Sequence, residues 1–85
     1  MPEELSILIA SDDQHTRVFA EIYFDDKFVA LVNREKGSGN EEIEFPGIDL
    51  VEDLVLRKVP LKFLQEAVQR SIERLDGADS PNRSV

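Results

Sequence analysis

His15 is the chain's one histidine, and Asp12 and Asp13 stand three and two residues before it. An imidazole beside carboxylates can move protons near neutral pH or help hold a metal. A metal needs three or four converging ligands, and this sequence has no cysteine and no second histidine to supply them. His15 therefore reads as a surface-loop residue, and no metal or other cofactor is assigned. Ser11, His15 and a nearby Asp contain the residue types of a hydrolytic triad, but no strained Gly-x-Ser-x-Gly turn presents a nucleophile. Gly37-Ser38-Gly39 lacks the lysine and following helix of a phosphate cradle, and its neighbours are acidic, so it reads as a hairpin loop. A non-enzymatic protein is expected. A chain of 85 residues is also expected to leave no room for a ligand pocket of usual size.

The elements that would position these residues follow from periodicity. Leu5, Ile7 and Ile9 alternate with Ser6, Leu8 and Ala10, the two-residue period of a strand that ends near Ser11. Two runs rich in β-branched and aromatic residues, Arg17 to Phe24 and Lys27 to Arg34, flank Asp25-Asp26 and predict a hairpin, with a two-residue turn or a four-residue one. Glu41 to Phe45 alternates acid with Ile43 and Phe45 until Pro46-Gly47, a fourth strand. Between Ile48 and Val59, a capped turn at Asp49 to Glu52 competes with a short strand at Leu54-Val55-Leu56. Pro60 suits a helix start. Leu61, Leu64, Val68, Ile72 and Leu75 then recur at helical spacing until Gly77, which reads as the stop. The sum is an α+β domain over residues 1–77: a four-stranded antiparallel meander packed by one C-terminal helix, with a fraying tail at 78–85.

That architecture sorts the side chains. A two-residue turn places Val18, Ala20, Ile22, Val29 and Leu31 on one face of the hairpin and Phe19, Tyr23, Phe28 and Val32 on the other. One helix covers one face only, so the other needs the chain itself, a second copy or a partner. On the helix, Phe63, Ala67, Arg70 and Arg74 fall opposite the apolar stripe, and Phe63 is expected to fold back toward Val59.

Charge separates the chain into halves. The formal net charge is −8, with fourteen acidic and four basic residues in 1–56 against four and six in 57–85. Glu41, Glu42, Glu44, Asp49, Glu52 and Asp53 fall in a segment with no Lys or Arg, so no local counter-ion is expected for them. An acidic surface opposes binding to nucleic acid and anionic lipid and favours a basic protein partner. Glu21, between Phe19 and Tyr23, is placed to meet an incoming Lys or Arg. The acidic N-terminus and the short apolar run Ile7 to Ala10 predict neither export nor membrane insertion, and the absence of cysteine suits the cytoplasm.

The hairpin Glu21-Ile22-Tyr23-Phe24-Asp25-Asp26-Lys27-Phe28-Val29-Ala30-Leu31-Val32, then Glu42-Ile43-Glu44-Phe45-Pro46-Gly47 and one closing helix, resembles small bacterial immunity proteins. These neutralise interbacterial toxins of the type VI, Rhs and contact-dependent kinds. The resemblance runs from Arg17 to Leu75 and rests on general character, so it carries over no functional residue. It implies an inhibitor that binds a cognate toxin domain, one acting on nucleic acid or nucleotides, and occludes its active site. The contacts expected on charge and exposure are Glu41, Glu42, Glu44, Asp49, Glu52 and Asp53, with Glu21, Tyr23 and Phe28 beside them. The alternative is a module that self-associates through the aromatic sheet face.

Overall fold

The computed structural model describes residues 4–47 and 54–79. Strands β1 (Leu5–Ala10), β2 (Phe19–Phe24), β3 (Lys27–Asn33) and β4 (Glu42–Glu44) form one antiparallel sheet in the order β1-β2-β3-β4, and helix α1 (Leu61–Asp79) packs on one face of it. The expected α+β meander is thus the architecture of the chain.

The central hairpin turns in two residues. Asp25 and Asp26 both sit at positive φ, 52° and 69°, and Phe24 pairs with Lys27 across them. Two left-handed residues give the turn the twist that antiparallel strands require. Asp25 also stitches the sheet: its N–H donates to the Glu4 carbonyl at 3.0 Å, and its Oδ1 accepts the Glu4 N–H at 2.9 Å.

The register then departs from simple alternation. Tyr23 faces Phe28, but Ile22 faces Ala30, so Val29 is an extra residue in β3. The expected faces are corrected beyond this bulge. Val32 joins Ala20 and Ile22 in the core, while Leu31 pairs with Glu21 on the opposite face. A one-residue shift exchanges the sides of every later side chain in the strand. In the loop between β3 and β4, Gly37 and Gly39 adopt φ of 107° and 89°, and the Asn40 N–H closes a turn onto the Gly37 carbonyl.

Helix α1 also docks differently from its apolar stripe. The fully buried positions are Ala67, Ser71 and Leu75, four residues apart, with Phe63 one turn earlier against Phe24 at a ring-centroid distance of 4.1 Å. This corrects the expectation that Phe63 and Ala67 fall away from the packed face: both face the sheet, and Phe63 packs on Phe24 of β2. Small side chains at the closest approach let the helix axis come near the strands. Ser71 is satisfied there by donating to the Ala67 carbonyl at 2.8 Å. Leu61, at the stripe's head, is left 68% exposed. The helix begins one residue after Pro60, whose carbonyl accepts the Leu64 N–H, and it runs through Gly77 to Asp79. Gly77 is therefore not the stop, and the first two residues of the expected tail are helical; 80–85 lie outside the described residues.

Helix α1 lies over β1 and β2 and reaches β3 only lightly. An apolar groove of about 420 Å³ is lined by Val29, Phe45, Leu56, Val59 and Leu64. The fold therefore has room for a concavity that chain length argued against. Val55, buried, makes a parallel bridge to Phe28, and the Leu56 N–H donates to the Phe28 carbonyl at 2.9 Å. The short-strand reading thus finds a single bridge, and the capped turn at Asp49 to Glu52 lies outside the described residues.

An ion pair locks this assembly. Arg34, 2% exposed, reaches Asp76 of α1 through Nη1 at 2.7 Å and Glu41 through Nη2 at 2.7 Å and Nε at 2.9 Å. Its carbonyl accepts from Arg17 Nη1 at 3.2 Å.

Two predictions follow from this packing. Ala67→Leu forces bulk between helix and sheet and should cost about 1–3 kcal/mol, whereas Leu61→Gln should change stability by less than about 0.5 kcal/mol; urea unfolding measures both, and the reverse order would contradict this docking face. Arg34→Ala leaves the Glu41 carboxylate, 14% exposed, without its cation and should cost about 3 kcal/mol. Asp76→Asn, at the solvent end of the pair, should cost under about 1 kcal/mol in the same assay.

Candidate functional site

The sheet face turned away from α1 carries one continuous row of side chains. Leu8 pairs with Glu21, Glu21 with Leu31 and Leu31 with Glu44, so all four share this face. A second row joins Ser6, Tyr23 and Phe28. No element of the described chain lies over these two rows, and Leu8 is 52% exposed in the first of them.

The face is apolar at its centre and acidic around it. Tyr23 and Phe28 meet edge to face at 5.7 Å. The Tyr23 hydroxyl donates to Glu21 Oε1 at 3.0 Å, and burial, then this carboxylate, pushes the phenol above its ordinary pKa. Glu21 is half-buried between Leu8 and Leu31. Glu42 and Glu44 stand at the β4 margin, where Lys36 Nζ approaches Glu42 at 2.9 Å and is held more basic by it.

The far end of the face is roofed by the loop between β1 and β2. His15 stacks on Phe19 with ring centroids 4.6 Å apart, and Phe19 is thereby 2% exposed. Asp12 Oδ1 accepts from the Gln14 and His15 N–H groups at 2.9 and 3.1 Å and approaches His15 Nδ1 at 2.8 Å. His15 Nε2 lies 2.9 Å from Glu44 Oε2, which also accepts from Asn33 Nδ2. The hydrogen bonds that His15 donates to Glu44, then Asp12, hold the imidazole above its ordinary pKa, and the one Asp12 accepts from the His15 side chain holds its carboxyl below the usual carboxylate range. Glu35 completes the anchorage by accepting from Thr16 Oγ1 at 2.6 Å, Thr16 N–H at 3.0 Å and Arg17 N–H at 2.8 Å, which holds its carboxyl low.

Of the expected contacts, Glu21, Tyr23, Phe28, Glu42 and Glu44 come together on this face. Glu41 does not: its side chain turns to Arg34 and α1. Asp49, Glu52 and Asp53 lie outside the described residues. The expectation of carboxylates without counter-ions is corrected for Glu41, Glu42 and Glu44, whose partners Arg34, Lys36 and His15 come from earlier in the chain. His15, expected on an exposed loop, has a side chain only 10% exposed. Leu8 and Leu31 were missed as members of the face; an apolar residue at the outward position of β1 was the available signal for Leu8.

Both ring nitrogens of His15 are engaged by carboxylates, so neither is free to take a proton from a substrate. Among the described residues no group of three or more His, Asp or Glu could hold a metal ion, and no helix is long and apolar enough to cross a membrane. No protein-family model matches the chain, and neither the curated proteins nor the solved structures contain a match to it.

Proposed function

We propose that this protein is an acidic, non-enzymatic inhibitor that binds a basic partner protein through the open face of its sheet. The carrying observation is the row Leu8, Glu21, Leu31 and Glu44, in which apolar side chains and carboxylates alternate with no strand or helix of the described chain above them and with His15 closing on Glu44 at one end. Apolar contacts at the centre of such a face exclude water, while the net charge of −8 and the marginal Glu42 accelerate encounter with a positive surface. In keeping with the likeness to bacterial immunity proteins, the partner is a toxin domain acting on nucleic acid or nucleotides, whose active site is itself cationic, and the working compartment is the cytoplasm. No direct contact with nucleic acid or membrane belongs to this reading.

The test is capture of a partner from native cytoplasm on the tagged protein at low and high salt, followed by association kinetics with that partner. A stoichiometric basic protein is expected, bound more slowly at high salt. Leu8→Asp should abolish capture and Glu42→Lys should slow association about tenfold at low salt, while Glu66→Lys on the helix leaves both unchanged. Charge reversal at Glu44 should slow association as well. Unchanged kinetics in the Leu8 and Glu42 variants would overturn the reading. Recovery of the protein alone, with a dimer by light scattering that Leu8→Asp dissociates, would assign the face to self-association instead.

A further inference from the structure

We propose that protonated His15 is a clasp that holds the edge strand β4 on the sheet, so that β4 loosens from β3 as pH rises through the His15 pKa. The geometry carries this. A neutral imidazole has one N–H, yet Nδ1 lies 2.8 Å from Asp12 and Nε2 lies 2.9 Å from Glu44, so both nitrogens meet acceptors and the ring must be an imidazolium to donate to both. The two carboxylates belong to different parts of the chain, one in the β1–β2 loop and one in β4, 29 residues from His15.

Strand β4 has few other anchors. It is three residues long, all exposed, and pairs only with Leu31–Asn33. Its own side-chain ties besides His15 are the solvent-exposed Lys36–Glu42 pair and the Asn33 amide on Glu44, while the buried Arg34–Glu41 pair anchors the residue just before the strand. The groups facing His15 are Asp12 from its own loop, Glu44 from β4, the Phe19 ring from β2, and Glu35 after β3, whose carboxylate is spent on Thr16 and Arg17. Among the described residues no cation joins them, so loss of the imidazolium leaves Asp12 and Glu44 facing one another across a ring that can donate to only one of them. His15 gains its partners on folding, and the stability they supply is full below its ordinary pKa of 6.5 and is lost as pH rises through its higher folded value. What is then uncovered is the outer backbone edge of β3. The inference concerns the chain's own edge and stands or falls independently of the partner proposed for the open face.

NMR on the wild-type protein tests it without any variant. The His15 ring carbons should titrate with a midpoint above 6.5, and the β4 amides should exchange several-fold faster above that midpoint than β2 amides measured in the same spectra. His15→Gln should show the fast β4 exchange at every pH, and Glu44→Gln should move the His15 midpoint down. A His15 midpoint at or below 6.5, or β4 exchange that tracks β2 through the titration, would overturn the clasp.

Discussion

One helix has to serve a sheet wider than itself. Four strands spaced about 4.8 Å apart present a surface about 15–19 Å across, and a helix with its side chains is about 10–12 Å in diameter. Everything else in the architecture answers to that shortfall. Helix α1 settles over β1 and β2, brings Ala67 and Ser71 to the strands, and buries Ile22, Ala20 and Leu75 completely. The β4 margin lies beyond its reach, so apolar burial cannot hold it.

Charge holds it instead. Glu41, Glu42 and Glu44, at successive points along the edge, are met by Arg34, Lys36 and His15. The three ties are unequal. Arg34 is buried and forks between Glu41, just before β4, and Asp76 of the helix, so its loss strands a desolvated carboxylate. The Lys36 pair is open to water and contributes little. His15 lies between these extremes. The acidic segment thus spends part of its charge on architecture, whereas Glu21, set among Leu8, Leu31 and Tyr23, accepts from the Tyr23 hydroxyl.

The sequence made the strands legible because their signals are local. Asp25-Asp26 between two β-rich runs identified the hairpin, and alternation in Leu5 to Ala10 identified β1. What it hid depends on fit in space. A helical wheel ranks residues by apolarity and so selected Leu61, Leu64 and Val68, whereas docking selects for small size at the point of closest approach, which favours Ala67 and Ser71. The bulge at Val29 leaves no compositional trace and reversed Leu31 and Val32. The grouping of Glu21, Tyr23, Phe28 and Glu44 was within reach of alternation; the pairing of His15 with Glu44 spans 29 residues and could come only from the folded sheet.

The order of the strands has a kinetic consequence. Because each strand pairs with its neighbour in sequence, the sheet assembles through short loops whose closure costs little entropy. The docking of α1 is different in kind. Arg74 Nη1 donates to the Ile7 carbonyl across 67 residues at 3.1 Å, so seating the helix on β1 closes nearly the whole chain into a ring. Contacts of this sequence separation raise the contact order of the chain, which across small domains goes with slower folding. A meander without the helix seated would leave the core residues Ile22, Ala30 and Val32 open to water, surface of the kind by which incompletely folded chains stick to one another.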